Sequence, residues 1–194
     1  MLTTLASLLV PNLLLPAQVD LRSADQDVSF SYVEAGYVNR DVDGSSVEFD
    51  GFDAGFSFDL RENFHVAARG DVLRGKSGID PDARSIAVLL GYHHELRHGT
   101  FLVAEAGLGW AEVEPVTGPD DSDSGFVARL GARHRANRTW EFLLALDYED
   151  VGADDDVSVT GEVLAYVDDG IAVVGRASFG SEVDSLGIGV RIGL

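Results

Sequence analysis

The chain contains no cysteine and a single lysine, Lys76. The first absence excludes a disulfide frame, thiolate chemistry and a cysteine-based zinc site. The second goes with 33 acidic residues against 14 basic ones and a formal net charge of -19. That balance argues against nucleic acid as a partner, because phosphates would be repelled. It favours cations, or the solubility of exposed loops. Long apolar runs are missing too: no segment approaches the roughly 18 uninterrupted apolar residues of a membrane helix. What remains is 194 residues with 22 glycines, enough for one all-β barrel without a second domain.

The start reads as a targeting segment. Residues 1–18 carry no charged side chain. Leu5, Leu8, Leu9, Val10, Leu13, Leu14 and Leu15 form an apolar stretch interrupted by Pro11 and Pro16, too short to span as a helix. The expectation is a signal peptide over 1–17, cleaved after Ala17, then an N-terminal periplasmic segment over 18–27 and a barrel over 28–194. The alternative is a short hydrophobic arm of the mature protein.

The stretch from Gly51 to Val72 sets the pattern for the rest. Phe52, Ala54, Phe56, Phe58 and Leu60 alternate with Gly51, Asp53, Gly55, Ser57 and Asp59. A period of two is that of a strand. Arg61-Glu62-Asn63 breaks it as a turn. The alternation then resumes, with Phe64, Val66, Ala68, Gly70 and Val72 on one face and His65, Ala67, Arg69 and Asp71 on the other. Continued along the chain, this pattern gives ten strands, with eight as the alternative. They run over 28–40, 47–60 (with a bulge near Phe49), 64–74, 84–93, 100–113, 125–134, 140–151, 157–167, 171–179 and 185–194. An even count with short connections predicts a closed antiparallel up-and-down barrel, which leaves no strand edge exposed.

Two features favour a membrane over a soluble barrel. The charged face is rich in glycine, which suits a crowded interior. The aromatic residues on the apolar face also sort into two girdles. Phe58, Phe64, Tyr92 and Trp140 lie near one set of turns. Tyr37, Trp110, Phe126, Tyr148 and Phe179 lie near the other. The first set of turns carries Arg61, Arg97, His98, Arg135 and Arg138, with Asp168-Asp169 as the exception; the second is acidic and longer, and so is expected outside the cell.

Several segments resemble a known family. They are Ser31-Tyr32-Val33-Glu34-Ala35-Gly36-Tyr37-Val38, Gly51-Phe52-Asp53-Ala54-Gly55-Phe56, Asn63-Phe64-His65-Val66, Leu90-Gly91-Tyr92-His93-His94-Glu95 and Leu146-Asp147-Tyr148-Glu149-Asp150. They are similar to the small porin-like outer-membrane β-barrel proteins of Gram-negative bacteria. The resemblance implies an outer-membrane location, with lipid and lipopolysaccharide as surroundings and no catalytic residues to transfer. It also implies recognition of the last strand by the barrel assembly machinery. There the chain departs from the family, ending in Leu194 where an aromatic residue is usual.

The inward face is expected to hold Glu34, Asp53, His65, Arg69, Asp71, Glu105, Arg129, Arg133, Glu141, Asp147, Glu149, Glu162, Arg176 and Arg191. About ten strands leave little more room than side chains fill. These charges are expected either to neutralise one another or to line a narrow polar path, with Glu34, Asp53, Arg69, Asp71, Glu105, Arg129, Arg133, Asp147, Glu162 and Arg176 as constriction candidates. No cofactor and no metal site is expected. His93 and His94 are adjacent on a strand and point to opposite faces. The acidic loops allow weak binding of divalent cations, bridging to lipid A phosphates. No nucleophile, base and carboxylate converge by register, so the reading is not an enzyme. The function expected is a monomeric porin-like passage for small solutes or a structural surface role. The alternatives are a soluble lipocalin-like barrel and an adhesive or cation-binding barrel with a plugged lumen.

Overall fold

A computed structural model describes residues 28–43, 47–61, 63–77, 81–115, 121–152 and 155–194. The expected signal peptide and periplasmic segment lie outside the described residues. The ten strands are β1 (Tyr32–Val42), β2 (Glu48–Arg61), β3 (Phe64–Gly75), β4 (Asp82–Arg97), β5 (Thr100–Glu114), β6 (Asp121–Arg135), β7 (Trp140–Asp150), β8 (Asp155–Asp168), β9 (Ile171–Phe179) and β10 (Val183–Gly193). Each pairs with its chain neighbours, and β1 pairs with β10 from Tyr32↔Gly193 to Val42↔Val183. The sheet is therefore a closed up-and-down barrel of ten antiparallel strands, and eight strands are ruled out.

Three sequence expectations shift. β1 begins at Tyr32 and not at Val28, because residues 28–31 turn into the lumen. The bulge foreseen near Phe49 is absent: β1 and β2 pair without interruption from Tyr32↔Ser57 to Asp41↔Glu48. The irregularity lies between Asp59 and Arg61, beside the turn to β3. The long loop expected over 114–124 is also shorter, since β5 runs to Glu114 and β6 starts at Asp121.

The mouth that carries Tyr32 and Gly193 has the shorter turns, and glycine closes two of them. Gly99 and Gly170 have φ of 70° and 83°, a conformation that side chains rarely adopt. Asp168 accepts the Asp169 amide in the β8–β9 turn at 2.8 Å, and the Gly193 amide donates to the Gly170 carbonyl at 2.7 Å. Inside the wall, Gly91 makes room for His65: a Cβ at Gly91 would overlap the imidazole ring.

The lumen is not lined by charge alone. Inward-facing apolar groups form Ala67, Ala87, Leu89 and Val127 at one level, Val38, Phe49 and Leu73 towards the long-loop mouth, and Leu164, Ala172 and Val174 towards the other. With period two and a narrow barrel, a buried position takes whatever fills it, so aliphatic and charged residues share the inner face.

Candidate functional site: the lumen and its two mouths

The wall is inverted relative to a soluble protein. Phe56, Leu108, Leu144 and Ile188 point outward and are 47%, 72%, 63% and 63% exposed. Arg129 and Asp53 point inward, with side chains 15% and 20% exposed. A soluble lipocalin-like barrel would place these groups the other way round, so that alternative is excluded. An unbroken apolar belt this large in water would aggregate, whereas in hydrocarbon it is the stable face. The molecule is a transmembrane β-barrel. Its even strand count, with short turns at the mouth where β1 begins and β10 ends and longer loops at the other, is that of barrels that span the outer membrane of Gram-negative bacteria.

The aromatic candidates all lie on the outward face. Phe64 packs edge-on to Tyr92 at 5.2 Å near the short-turn mouth, where Phe58 and Trp140 also stand. Tyr37 meets Phe52 at 5.8 Å and Phe126 lies 6.4 Å from Tyr148 near the opposite mouth, with Trp110 and Phe179. The Arg84 guanidinium lies 5.8 Å from the Trp110 ring and pairs with Glu112. Above the belt, the Lys76 ammonium donates to Glu48 at 2.8 Å, and that bond raises its pKa above the ordinary lysine value.

The charged candidates form one network at mid-height. Arg176, from β9, donates to three carboxylates: Glu162 at 2.9 Å, Asp53 at 2.8 Å and Glu34. Arg191, from β10, donates to Glu34 at 2.6 Å and Glu162 at 3.0 Å. Across the lumen Arg129 grips Asp147 through two bonds of 2.6 and 3.2 Å. Arg69 stands 3.8 Å from Asp147 and 3.6 Å from Glu149. Glu105 bonds the His65 ring at 2.8 Å. Such charges are stable in a narrow lumen only because each carboxylate is met by a guanidinium or an imidazole. Asp71 sits higher, with Arg40 at 2.6 Å and the Ser85 hydroxyl donating to it at 2.9 Å. Arg133 is not at the mid-height constriction. It lies near the short-turn mouth and pairs with Glu141, which also takes Arg135 at 3.3 Å and the Tyr166 hydroxyl at 3.1 Å.

Residues 28–31 form a strap across that mouth, a feature not anticipated from the sequence. Phe30 leaves the β1 wall and stacks face to face on His93 at 3.8 Å. Its ring also lies 5.3 Å from His65, 5.6 Å from Phe101 and 4.9 Å from the Arg133 guanidinium. Val28 and Val103 complete this buried apolar knot. Here His65 and His93 meet, Nδ1 to Nδ1, at 3.3 Å. As expected of neighbours on a strand, His94 faces outward, 6.5 Å from the Tyr92 ring. His134 bonds the Thr100 hydroxyl at 2.9 Å. Among the described residues no group of three or more metal-ligating side chains is found.

Two cavities occupy the lumen, one of them lined by the mid-height network. One, of about 300 Å³, spreads from Arg40 and Asp71 down to Glu34, Glu162 and Tyr32. The other, of about 500 Å³, opens at the short-turn mouth and is lined by Arg133, Arg135, Arg138 and Arg191. Tyr32 lines both, so its ring and the salt-bridge layer separate the two spaces.

No protein-family model matches the chain, and no curated protein matches it in sequence. Among solved structures it is similar to Ail, the attachment invasion locus protein of Yersinia pestis, at 16% identity over 84% of this chain and 97% of that one, with a TM-score of 0.45. It is similar to KdgM porin at 11% identity, over 83% and 99% of the two chains, with a TM-score of 0.46. The N-terminal β-barrel domain of Pseudomonas aeruginosa OprF gives 11% identity, 84% and 98% coverage and a TM-score of 0.47.

Proposed function

We propose that the barrel is a narrow, normally closed passage for small polar solutes across the outer membrane. The single supporting observation is a polar cavity running through the mid-height charges, parted from the cavity at the short-turn mouth by Tyr32 and by Arg191 with its partners Glu34 and Glu162. Rings of charge that bind a solute, yet can exchange partners, are the usual means by which a narrow pore selects and conducts. In planar bilayers the purified protein is expected to give small current steps. Replacing Arg129 and Arg133 together by Ala is expected to enlarge them, because two guanidinium groups leave the lumen. No current above background from either protein would remove the passage reading.

A second reading has its own support. The strap at Phe30 and the salt-bridge layer together fill much of the lumen, as in a plugged barrel with a structural or surface-binding role. In that case the acidic loops carry the function, through adhesion or weak capture of divalent cations. Loop replacement followed by adhesion assays tests it.

A further inference from the structure

The strap divides the short-turn mouth unequally. Phe30 and Val28 fill the half bounded by β3, β4 and β5, while the half bounded by β6, β8 and β10 stays open as the cavity of about 500 Å³. We propose that this open half is a binding site for a small oxyanion, a carboxylate or phosphate group.

The site is built from donors held in place before any ligand arrives. The Arg133 side chain is only 6% exposed, and its Nε is committed to Glu141. Its ring contacts with Phe30 and Tyr32 fix the guanidinium plane, and among the described residues its Nη atoms donate no hydrogen bond. Arg133 is among the residues that line the cavity. Arg191 is held in the same way: Nε goes to Glu34, Nη2 to Glu34 and Glu162, and the guanidinium lies 4.2 Å from the Tyr32 ring. The Tyr32 hydroxyl has no hydrogen-bond partner among the described residues. Arg138 adds an exposed guanidinium at the rim. Planar guanidinium donors match the two oxygens of a carboxylate or a phosphate edge.

The chain as a whole carries a net charge of -19, yet four of its arginines converge on this one space. The opposing groups are Asp168 and Asp169 at the rim, the buried Glu141 that holds Arg133 and Arg135, and Glu34 and Glu162 that hold Arg191. The Asp168 carboxylate is partly engaged by the Asp169 amide. An oxyanion resting on the floor meets Arg133, Arg191 and Tyr32, and the aspartates sit at the entrance. They are placed to reject large polyanions while leaving a small anion its floor.

This site does not depend on conduction, and its test measures none. The full barrel is folded in detergent at low ionic strength and titrated with inorganic phosphate, and separately with acetate, by calorimetry. Saturable binding of one anion per barrel is expected. Arg138→Gln, which removes a solvent-exposed side chain and leaves the fold intact, is expected to weaken it about threefold, since a rim charge is partly screened. Arg133→Gln, with Tyr32→Phe as the variant that spares every salt bridge, is expected to weaken it about tenfold, the value of one charge-assisted hydrogen bond. Phosphate above acetate points to a phosphate-bearing ligand and the reverse order to a carboxylate; both orders support the site. Absence of saturable binding, or equal affinity in the wild type and in all three variants, would overturn it.

Discussion

Glu141 is the residue on which most depends locally. It is fully buried at the short-turn mouth and receives Arg133, Arg135 and the Tyr166 hydroxyl, with the Arg135 guanidinium only 3.6 Å from the Tyr166 ring. Taking this carboxylate away leaves buried positive charge without its partner, which costs roughly 3–5 kcal/mol where both groups are desolvated. Glu141→Ala is therefore expected to lower the urea midpoint of the barrel in lipid vesicles by a corresponding amount. Lys76→Ala, which touches only an exposed bond to Glu48, is expected to leave it unchanged. Equal midpoints for Glu141→Ala and wild type would show that the mouth is hydrated enough to solvate the arginines. The sequence marks Glu141 as inward by parity, but not its convergence with Arg133, Arg135 and Tyr166. That convergence requires the β6–β7 and β7–β8 registers, Arg135↔Glu141 and Glu141↔Leu164.

Among the elements, the strands were legible and the strap was not. Alternation of apolar with polar or glycine residues is a property of neighbouring side chains, so it survives in a single sequence. It located all ten strands, with ends within about four residues of those observed. The same alternation extends back through Val28 and Phe30, which share the inward parity of Tyr32 and Glu34. On pattern alone they extend β1. What bends the chain inward is a partner surface that no local pattern contains: His93, Phe101 and Val103 on strands three and four places around the wall. Two large apolar residues in a row of lumen positions are the one available hint. Phe30→Ala is expected to loosen the strap and raise single-channel conductance while leaving strand content unchanged by circular dichroism. Unchanged conductance would mean that the salt-bridge layer alone limits passage.

For the molecule as a whole, the central question is what touches the outside of the wall. The inner layer could be anticipated as a set, since Glu34, Asp53, Arg69, Glu105, Arg129, Asp147, Glu162 and Arg176 each fall on the face of their strand opposite the apolar one. Its pairing could not, because Arg176 reaches Glu34 and Asp53 across a closure between the first and last strands that exists only once the barrel forms. The His65–His93 contact was hidden for the same reason, as a diagonal neighbour across the β3–β4 register. The outer layer needs no pairing to be read: Phe52, Leu108, Leu144, Leu186 and Ile188 are apolar, large and outward. Absence of native cysteine makes that layer directly measurable. A nitroxide attached at Leu144→Cys, in protein folded into phospholipid vesicles, reports collisions with oxygen, which concentrates in hydrocarbon, and with a water-soluble nickel complex, which does not. High oxygen and low nickel accessibility is the predicted result; a label open to nickel, or shielded from both reagents, would contradict a wall that faces lipid.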